Sequence, residues 1–390
     1  MSNIFLNDEE AMYQVETRDF LKRELTGVAE EIEKTDRYPR EVFRILRPTG
    51  NLGGLIPKEY GGSDQGAVIA SLFAEEMGAL SPAIGMCVGA SSVLFTWPIV
   101  RFGTKQQKTE VLPQLARGEK IGCICITEPN VGSDVAGMKT TAKKEGDYYL
   151  LNGEKRFITN GGEADYLLVF AVTDPKVHAH QGMTAFLVEK TMPGFKHVKD
   201  YELMGNRGAK AAHLTFQNVK VPKENIIGKE NSGFLVVMDE LDIERTMIAG
   251  QAIGCARTPF EAAVKYSTER VQFDQTISRF EGVSFKVADM GMAIDAARLL
   301  MLRAARMIDK GLGATKEASM AKLFAVETAV NVTYSALQML GGIGYTKEYD
   351  VEQFARDARL MPIGGGTSEI LRYLIQREIY KESKEKQKKP

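Results

Sequence analysis

The 390-residue chain carries 50 basic and 51 acidic residues, a balance that excludes the basic field a nucleic-acid binder needs and any overall acidic tail. At 44% hydrophobic and 26% charged it is an ordinary globular composition, and it is longer than one hydrophobic core usually serves, so two or three packed units are expected. No stretch reads as the roughly 20 apolar residues of a bilayer span, and the acidic start (Asp8, Glu9, Glu10) argues against a signal or Arg-rich transit peptide, so a cytoplasmic, bacterial protein is expected.

Residues 1–121 read as a helical N-terminal domain. Asn7 followed by Glu10 has the form of a capping box, opening a long helix through Met12, Val15, Phe20, Leu21 and Leu25 to Thr35. Pro57, Gly61 and Gly62 mark a loop. Apolar, Ala-rich helices follow over 67–80 and 85–102, with Pro98 beginning or kinking the last.

Over residues 122–230 the period changes. Short β-branched or aromatic runs (122–127, 139–144, 148–152, 165–172, 183–189 and 212–219) are separated by Gly, Asn, Asp and Pro, and Asn152-Gly153 reads as a hairpin turn. This is a middle, antiparallel β domain. Residues 231–390 return to helical period: Val287, Met290, Ile294, Ala297, Met301, Ala304 and Ile308 repeat at three-four spacing, as in an antiparallel bundle. Helices over 232–268, 283–311, 315–341 and 366–381 make it a C-terminal four-helix bundle, with Lys381 to Lys389 a charged tail. The fold class is therefore α+β and multidomain.

Cys87, Cys123, Cys125 and Cys255 lack a disulfide pattern and read as reduced, packed thiols. His178-x-His180 stands in a loop without further ligands, so it reads as surface and no metal is expected.

Three short segments carry chemistry. Cys125-Ile126-Thr127-Glu128-Pro129-Asn130-Val131-Gly132-Ser133-Asp134 leaves a strand and closes in a turn where Gly132 admits a close approach to the backbone and Thr127 and Ser133 offer hydroxyls. By turn chemistry alone this is equally an ordinary strand-to-loop junction. Gln338-Met339-Leu340-Gly341-Gly342-Ile343-Gly344-Tyr345 and Gly364-Gly365-Gly366-Thr367-Ser368-Glu369 follow it. In this order and spacing the three segments resemble the acyl-CoA dehydrogenase family of FAD enzymes, over nearly the whole chain.

The resemblance implies FAD between the β domain and the bundle, completed by a dimer partner in a homotetramer built as a dimer of dimers. It implies Ile124, Ile126 and Thr127 at the flavin edge, and Gly132 and Ser133 at the pyrophosphate and the acyl-CoA channel. Phe157 and Thr159 would flank the isoalloxazine ring, while Arg270, Phe273, Gln338 and Gly342 would come from the partner subunit. Thr367 and Glu369 would contact the flavin or its ribityl chain and phosphates. Three positions depart from the family pattern: Asp274 stands where Gly is frequent, Glu281 where Gln is usual, and Gln353 where Arg is frequent.

A fourth departure concerns catalysis. Medium- and short-chain members carry their catalytic glutamate immediately before Gly-Thr-Ser, where this chain has Gly365. Isovaleryl-CoA and long-chain dehydrogenases place it on the first long helix of the bundle, and Glu244 of Leu241-Asp242-Ile243-Glu244-Arg245 matches that position. The resemblance thus implies Glu244 as the base, Asp242 and Arg245 at the pantetheine arm, and the Gly365 N–H on the thioester carbonyl. The implied reaction is α,β-dehydrogenation of an acyl-CoA to the 2-enoyl-CoA, with flavin N5 taking the hydride. Electrons would pass to an electron-transferring flavoprotein, since no Gly-x-Gly-x-x-Gly turn follows a strand. Three other classes stay open: an enoyl-CoA reductase on the same scaffold, a non-catalytic flavoprotein, and, more weakly, an oxidase. Phe95 and Trp97 favour a short, branched or cyclic acyl chain.

Overall fold

The computed structural model describes residues 4–387. Helix α1 (Asp8–Thr35) opens on the expected capping box: the Asn7 side chain accepts the Glu10 N–H at 2.9 Å and the Glu10 carboxylate accepts the Asn7 N–H at 3.0 Å. Helix α2 (Gly66–Leu80) follows, then α3, which runs without a break over Pro82–Phe102. Pro98 does not begin α3, which is continuous through it. The helix widens to a π turn over Ala90–Phe95, just ahead of the proline that cannot donate an N–H, and the Thr96 hydroxyl caps the Ser91 carbonyl at 2.8 Å. At 21 residues and a mean hydropathy of 1.7, α3 is long and apolar enough to cross a membrane, contrary to the sequence expectation. Its most apolar window is 78% buried inside the fold, as a core helix would be.

The sheet comprises β1 (Gly122–Cys125), β2 (Thr141–Glu145), β3 (Tyr148–Thr159), β4 (Tyr166–Val172), β5 (Met183–Glu189), β6 (Phe195–Tyr201), β7 (Ala211–Pro222) and β8 (Ile226–Ile227). Its order is β6-β7-β3-β2-β4-β5-β8, with β1 laid parallel on β4 (Ile124 opposite Leu168). The sheet is thus antiparallel except where β4 receives β1 and the end of β2. Strands β6 and β8 were not predicted; β6 is mostly exposed and rich in Lys and His, so it carries no apolar alternation. Asn152-Gly153 is not a hairpin turn. It is a bulge within the 12-residue β3, where the register against β7 slips between Leu151 and Gly153. The Asn152 side chain accepts the backbone N–H of Asn218 across that slip at 2.9 Å.

Four long helices complete the fold: α4 (Gly233–Glu269), α5 (Glu281–Asp309), α6 (Thr315–Leu340) and α7 (Ser368–Gln387). The α5 stripe is buried as its period requires at Met290, Ile294, Ala297, Met301 and Ala304, with Val287 and Ile308 half-buried at its ends. Ala67, Val68 and Leu72 of α2 share this core, so the N-terminal helices and the bundle are one packed body. The charged tail is helical as far as Gln387, and Lys388 and Lys389 lie outside the described residues. All four cysteines are free and buried; Cys123 and Cys125 point the same way from β1, with sulfurs 3.8 Å apart.

Candidate active site

Strand β1 ends at Cys125, so Ile126 and Thr127 leave the sheet with their backbone available for other partners. Their carbonyls are taken by the neighbouring strand: Lys155 Nζ donates to the Ile126 carbonyl at 3.1 Å and the Arg156 N–H to that of Thr127 at 2.9 Å. Lys155 is wholly buried and also pairs with Glu128 at 2.8 Å. The same carboxylate accepts the N–H groups of Lys139 and Thr140, which ties down both ends of the Gly132–Ser133 loop. Gly132 and Ser133 themselves are exposed.

The register of β3 against β7 slips a second time between Lys155 and Ile158. The slip throws Phe157 outward, 59% exposed, in the left-handed region (φ 57°), with its ring 4.8 Å from that of Tyr201. A bulky residue held there stores about 1–3 kcal/mol of backbone strain, of the kind found at functional sites. Thr159 lies against the Met86 sulfur, and Asn160 Nδ2 donates to the Cys87 carbonyl at 2.8 Å. The Thr127–Phe157–Thr159 cluster is thereby fastened to α3. Ile124 and Ile126, with Leu241 of α4, pack around one apolar cluster.

The second group of residues is on the bundle. Glu244 is 6% exposed, and a β-carbon built on Gly365 would stand 2.7 Å from its Oε1. Gly365 and Gly366 have φ of 61° and 89°, a loop conformation that favours glycine. Burial pushes the Glu244 carboxyl up, against the pull of Lys322 and Arg245. Glu240, one turn earlier on α4, is pushed well up by burial and by the Glu244 charge, and neither of its carboxylate oxygens meets a partner among the described residues. Asp242 is raised by burial, against its bonds to the Thr315 hydroxyl (2.8 Å) and Arg245 (3.3 Å). Thr367 caps α7, its hydroxyl accepting the Ile370 N–H at 3.3 Å, while Glu369 is exposed and held low by its own N–H and Thr367.

Arg270, Phe273, Gln338 and Gly342 stand apart: no hydrogen bond or ion pair among the described residues ties them to Thr127, Phe157 or Glu244. All four are exposed, Phe273 by 88%, at the tip of a two-residue turn between Val271–Gln272 and Gln275–Thr276. Both turn residues are left-handed (φ 53° and 62°), which Asp274 tolerates in place of glycine. Glu281 opens α5, where a carboxylate suits the helix N-terminus, and Gln353 hydrogen-bonds Asp357. Phe95 is fully buried and packs on Gly122, and the Trp97 indole N–H donates to Asp239 at 2.9 Å, bolting α3 to α4. A cavity of about 20 Å³ does open between α2, α3 and α4, lined among others by Ser92, Val93, Met247 and Gln251. His178 and His180 are exposed, and no group of potential metal ligands exists among the described residues.

Lys322 escaped the sequence analysis, although a lysine on the alanine-lined buried stripe of α6 (Ala318, Ala321, Ala325, Ala329) is a detectable anomaly. Glu240 and the Lys155–Glu128 pair were missed because nothing local marks them as buried.

Matches to three family models cover the chain: the acyl-CoA dehydrogenase N-terminal domain over residues 7–119, the middle domain over 123–219 and the C-terminal domain over 231–380. An acyl-CoA dehydrogenase of Bacillus subtilis is 41% identical, over 96% of this chain and 98% of the relative. The chain belongs to the acyl-CoA dehydrogenase family. It is accordingly an oxidoreductase of an FAD-dependent family. An acryloyl-CoA reductase (NADH) of Anaerotignum propionicum is 40% identical over 96% of this chain and 95% of the relative. The butyryl-CoA dehydrogenase structure from Megasphaera elsdenii superposes with a TM-score of 0.93 at 38% identity, covering 96% of this chain and 99% of that one.

The residues present fit FAD. A β-carbon on Gly132 or Gly342 would meet nothing within 4 Å among the described residues, so these glycines are not required by packing in the subunit, as expected where another molecule approaches the backbone. An exposed, strained aromatic (Phe157) stands beside hydroxyls on Thr127 and Thr159, and the buried Ser368 hydroxyl at the start of α7 has no partner among the described residues.

Proposed function

We propose that the protein removes the α-proton of an acyl-CoA thioester with Glu244 and yields the 2-enoyl-CoA. The observation that carries this is the contact between position 365 and the Glu244 carboxylate: the two positions at which the family's base is expected address the same space, and here only position 244 has a side chain to fill it. A bound FAD supplies the hydride acceptor, held by Ile124, Ile126, Thr127, Gly132, Ser133, Phe157, Thr159, Thr367 and Glu369. Arg270, Phe273, Gln338 and Gly342 complete the site from a partner subunit in a homotetramer. Their exposure, with Phe273 at 88%, supports this assignment.

A carboxylate is a weak base for a carbon acid, so the enolate-like oxygen must be stabilised in a water-poor site, and the Gly365 N–H is the donor assigned to it. Burial raises the Glu244 carboxyl toward its working range. Because its pKa is raised, the active carboxylate is lost as pH falls through that raised value. Asp242 and Arg245 orient the pantetheine arm. The acyl group is short, which the likeness to a butyryl-CoA dehydrogenase supports. Electrons leave through an electron-transferring flavoprotein in the cytoplasm.

Anaerobic stopped-flow mixing of the FAD-loaded tetramer with butyryl-CoA tests the assignment. Glu244→Gln should bind FAD and substrate and lose flavin reduction by roughly a hundredfold or more; reduction at the wild-type rate places the base elsewhere. A second reading, reduction of a 2-enoyl-CoA, is favoured by the likeness to an acryloyl-CoA reductase. Steady-state rates with both thioesters decide the direction.

A further inference from the structure

Lys322 lies on α6 with its side chain fully buried, and it enters no ion pair among the described residues. Its ammonium donates instead to three consecutive main-chain carbonyls: Gly364, then Gly365 and Gly366, both at 2.7 Å. An ammonium has three N–H donors, so one short loop takes all of them. Three successive carbonyls converging on one point is not regular secondary structure, and here it accompanies the left-handed backbone of Gly365 and Gly366.

A trans peptide unit is planar, with its C=O and the next residue's N–H antiparallel. Fixing the carbonyls of Gly364, Gly365 and Gly366 on Lys322 therefore turns the N–H groups of Gly365, Gly366 and Thr367 away from it. A β-carbon at Gly365 would touch Glu244, so the same loop also walls the carboxylate. We propose that Lys322 is a positioning residue for α-proton abstraction: it orients the Gly365 N–H toward the thioester carbonyl and sets a buried positive charge beside the Glu244 carboxylate. This rests on Glu244 as base and on the Gly365 N–H as the thioester donor.

The charged groups around this point are Asp239, Glu240, Asp242, Glu244 and Arg245 from α4, Lys322 from α6, and Arg377 and Glu378 from α7. Burial pulls the Lys322 ammonium down to about 8, against the charge of Glu244. The Lys322 charge in turn holds Glu244 below the value that burial alone would give it. Two limbs follow for proton abstraction. It rises with pH as Glu244 ionises, and falls near 8 as Lys322 loses a proton and one of its three donors.

The test follows exchange of the α-hydrogens of 3-thiabutyryl-CoA into D2O by NMR across pH 5–10. This probe has no β C–H to oxidise, so exchange reads the base without flavin turnover. Wild-type enzyme should show both limbs. Lys322→Met should retain FAD and bind free CoA as wild type, yet exchange roughly ten- to a hundredfold more slowly, the usual cost of losing an outer supporting partner. Its acid limb should move to higher pH. Lys322→Arg keeps a charge that does not titrate here, so its alkaline limb should vanish. Lys322→Met with the wild-type rate and acid limb overturns the proposal, as does an alkaline limb that persists in Lys322→Arg. Should neither variant fold, a wild-type profile without a fall between pH 7 and 9 overturns it. Glu244→Gln is run alongside: full exchange there removes Glu244 as base, whereas its loss with an unaffected Lys322→Met removes only the role of Lys322.

Discussion

Glu240 and Glu244 stand one helical turn apart on the same face of α4, both buried, and only Glu244 faces a loop shaped to receive it. Glu240 finds no hydrogen-bond donor among the described residues, and burial and its neighbour's charge push its carboxyl well up. A carboxyl raised in the folded state binds more protons there than in the unfolded chain, so its contribution lowers stability as pH rises above the unfolded value. Glu240→Met, apolar and of similar length, is expected to stabilise the protein by about 1–3 kcal/mol at pH 8. It should also flatten the fall in Tm between pH 5 and 8. Calorimetry of both proteins across that window checks this; an unchanged slope means Glu240 is solvated in solution.

Moving the base back to position 365 demands room at 244. In Gly365→Glu the new β-carbon meets Glu244 Oε1 at 2.7 Å and Ile248 Cδ1 at 2.8 Å, on a backbone with φ 61°. We expect Gly365→Glu alone to lose flavin reduction, Gly365→Glu with Glu244→Gln to lack it as well, and both to lose at least about 1 kcal/mol of stability. Gly365→Glu with Glu244→Gly clears the carboxylate and should regain flavin reduction. Single-turnover reduction by butyryl-CoA ranks the three; recovery in the Gln pair would show that the loop yields.

Phe157 combines exposure with a left-handed backbone, and both suit a residue that waits for a ring to stack on it. Phe157→Ala should weaken FAD by about two- to tenfold, the range of one aromatic stacking contact. Phe157→Gly should weaken FAD similarly and raise the stability of the FAD-free protein, because glycine relieves the φ. FAD titration followed by fluorescence, with Tm of the apoprotein, separates the two effects.

Lys155 and Glu128 form a wholly buried pair that fixes Ile126 and Thr127. Lys155→Met leaves the carboxylate uncompensated and should cost about 3–5 kcal/mol, whereas Lys155→Met with Glu128→Gln should cost less than Lys155→Met alone. Urea unfolding measures the difference; equal losses would mean that the pair acts only by packing.

Phe273→Asp is expected to lower the tetramer to dimers or monomers and to release FAD, because this hairpin-tip aromatic meets Phe280 edge-on yet leaves 88% of its surface exposed for another subunit to cover. Light scattering with flavin absorbance reads both. A tetramer that keeps FAD would place Phe273 outside the interface.

Much of the fold was legible because local chemistry and tertiary structure agree. The Asn7–Glu10 box, the α5 stripe from Val287 to Ile308 and the run Met183–Glu189 each carry their period or cap within a few residues. The departures have non-local causes. Asn152-Gly153 has turn chemistry, but its strand continues because β7 pairs through the slip, and Pro98 is tolerated because α3 widens at Ala90–Phe95 before it. The candidate site divides in the same way. Segment order around Thr127, Gln338 and Thr367 identified the family, and the matching of Glu244 against a glycine at 365 was available from residue types alone. That Glu244 and Gly365 touch, that Lys322 gathers the carbonyls of the intervening loop, and that Glu240 is buried without a donor depend on helices separated by tens of residues being packed together. Period and composition record which face of a helix is buried. They do not record which buried groups meet, since that is set by the packing of α4 against α6 and the loop before α7.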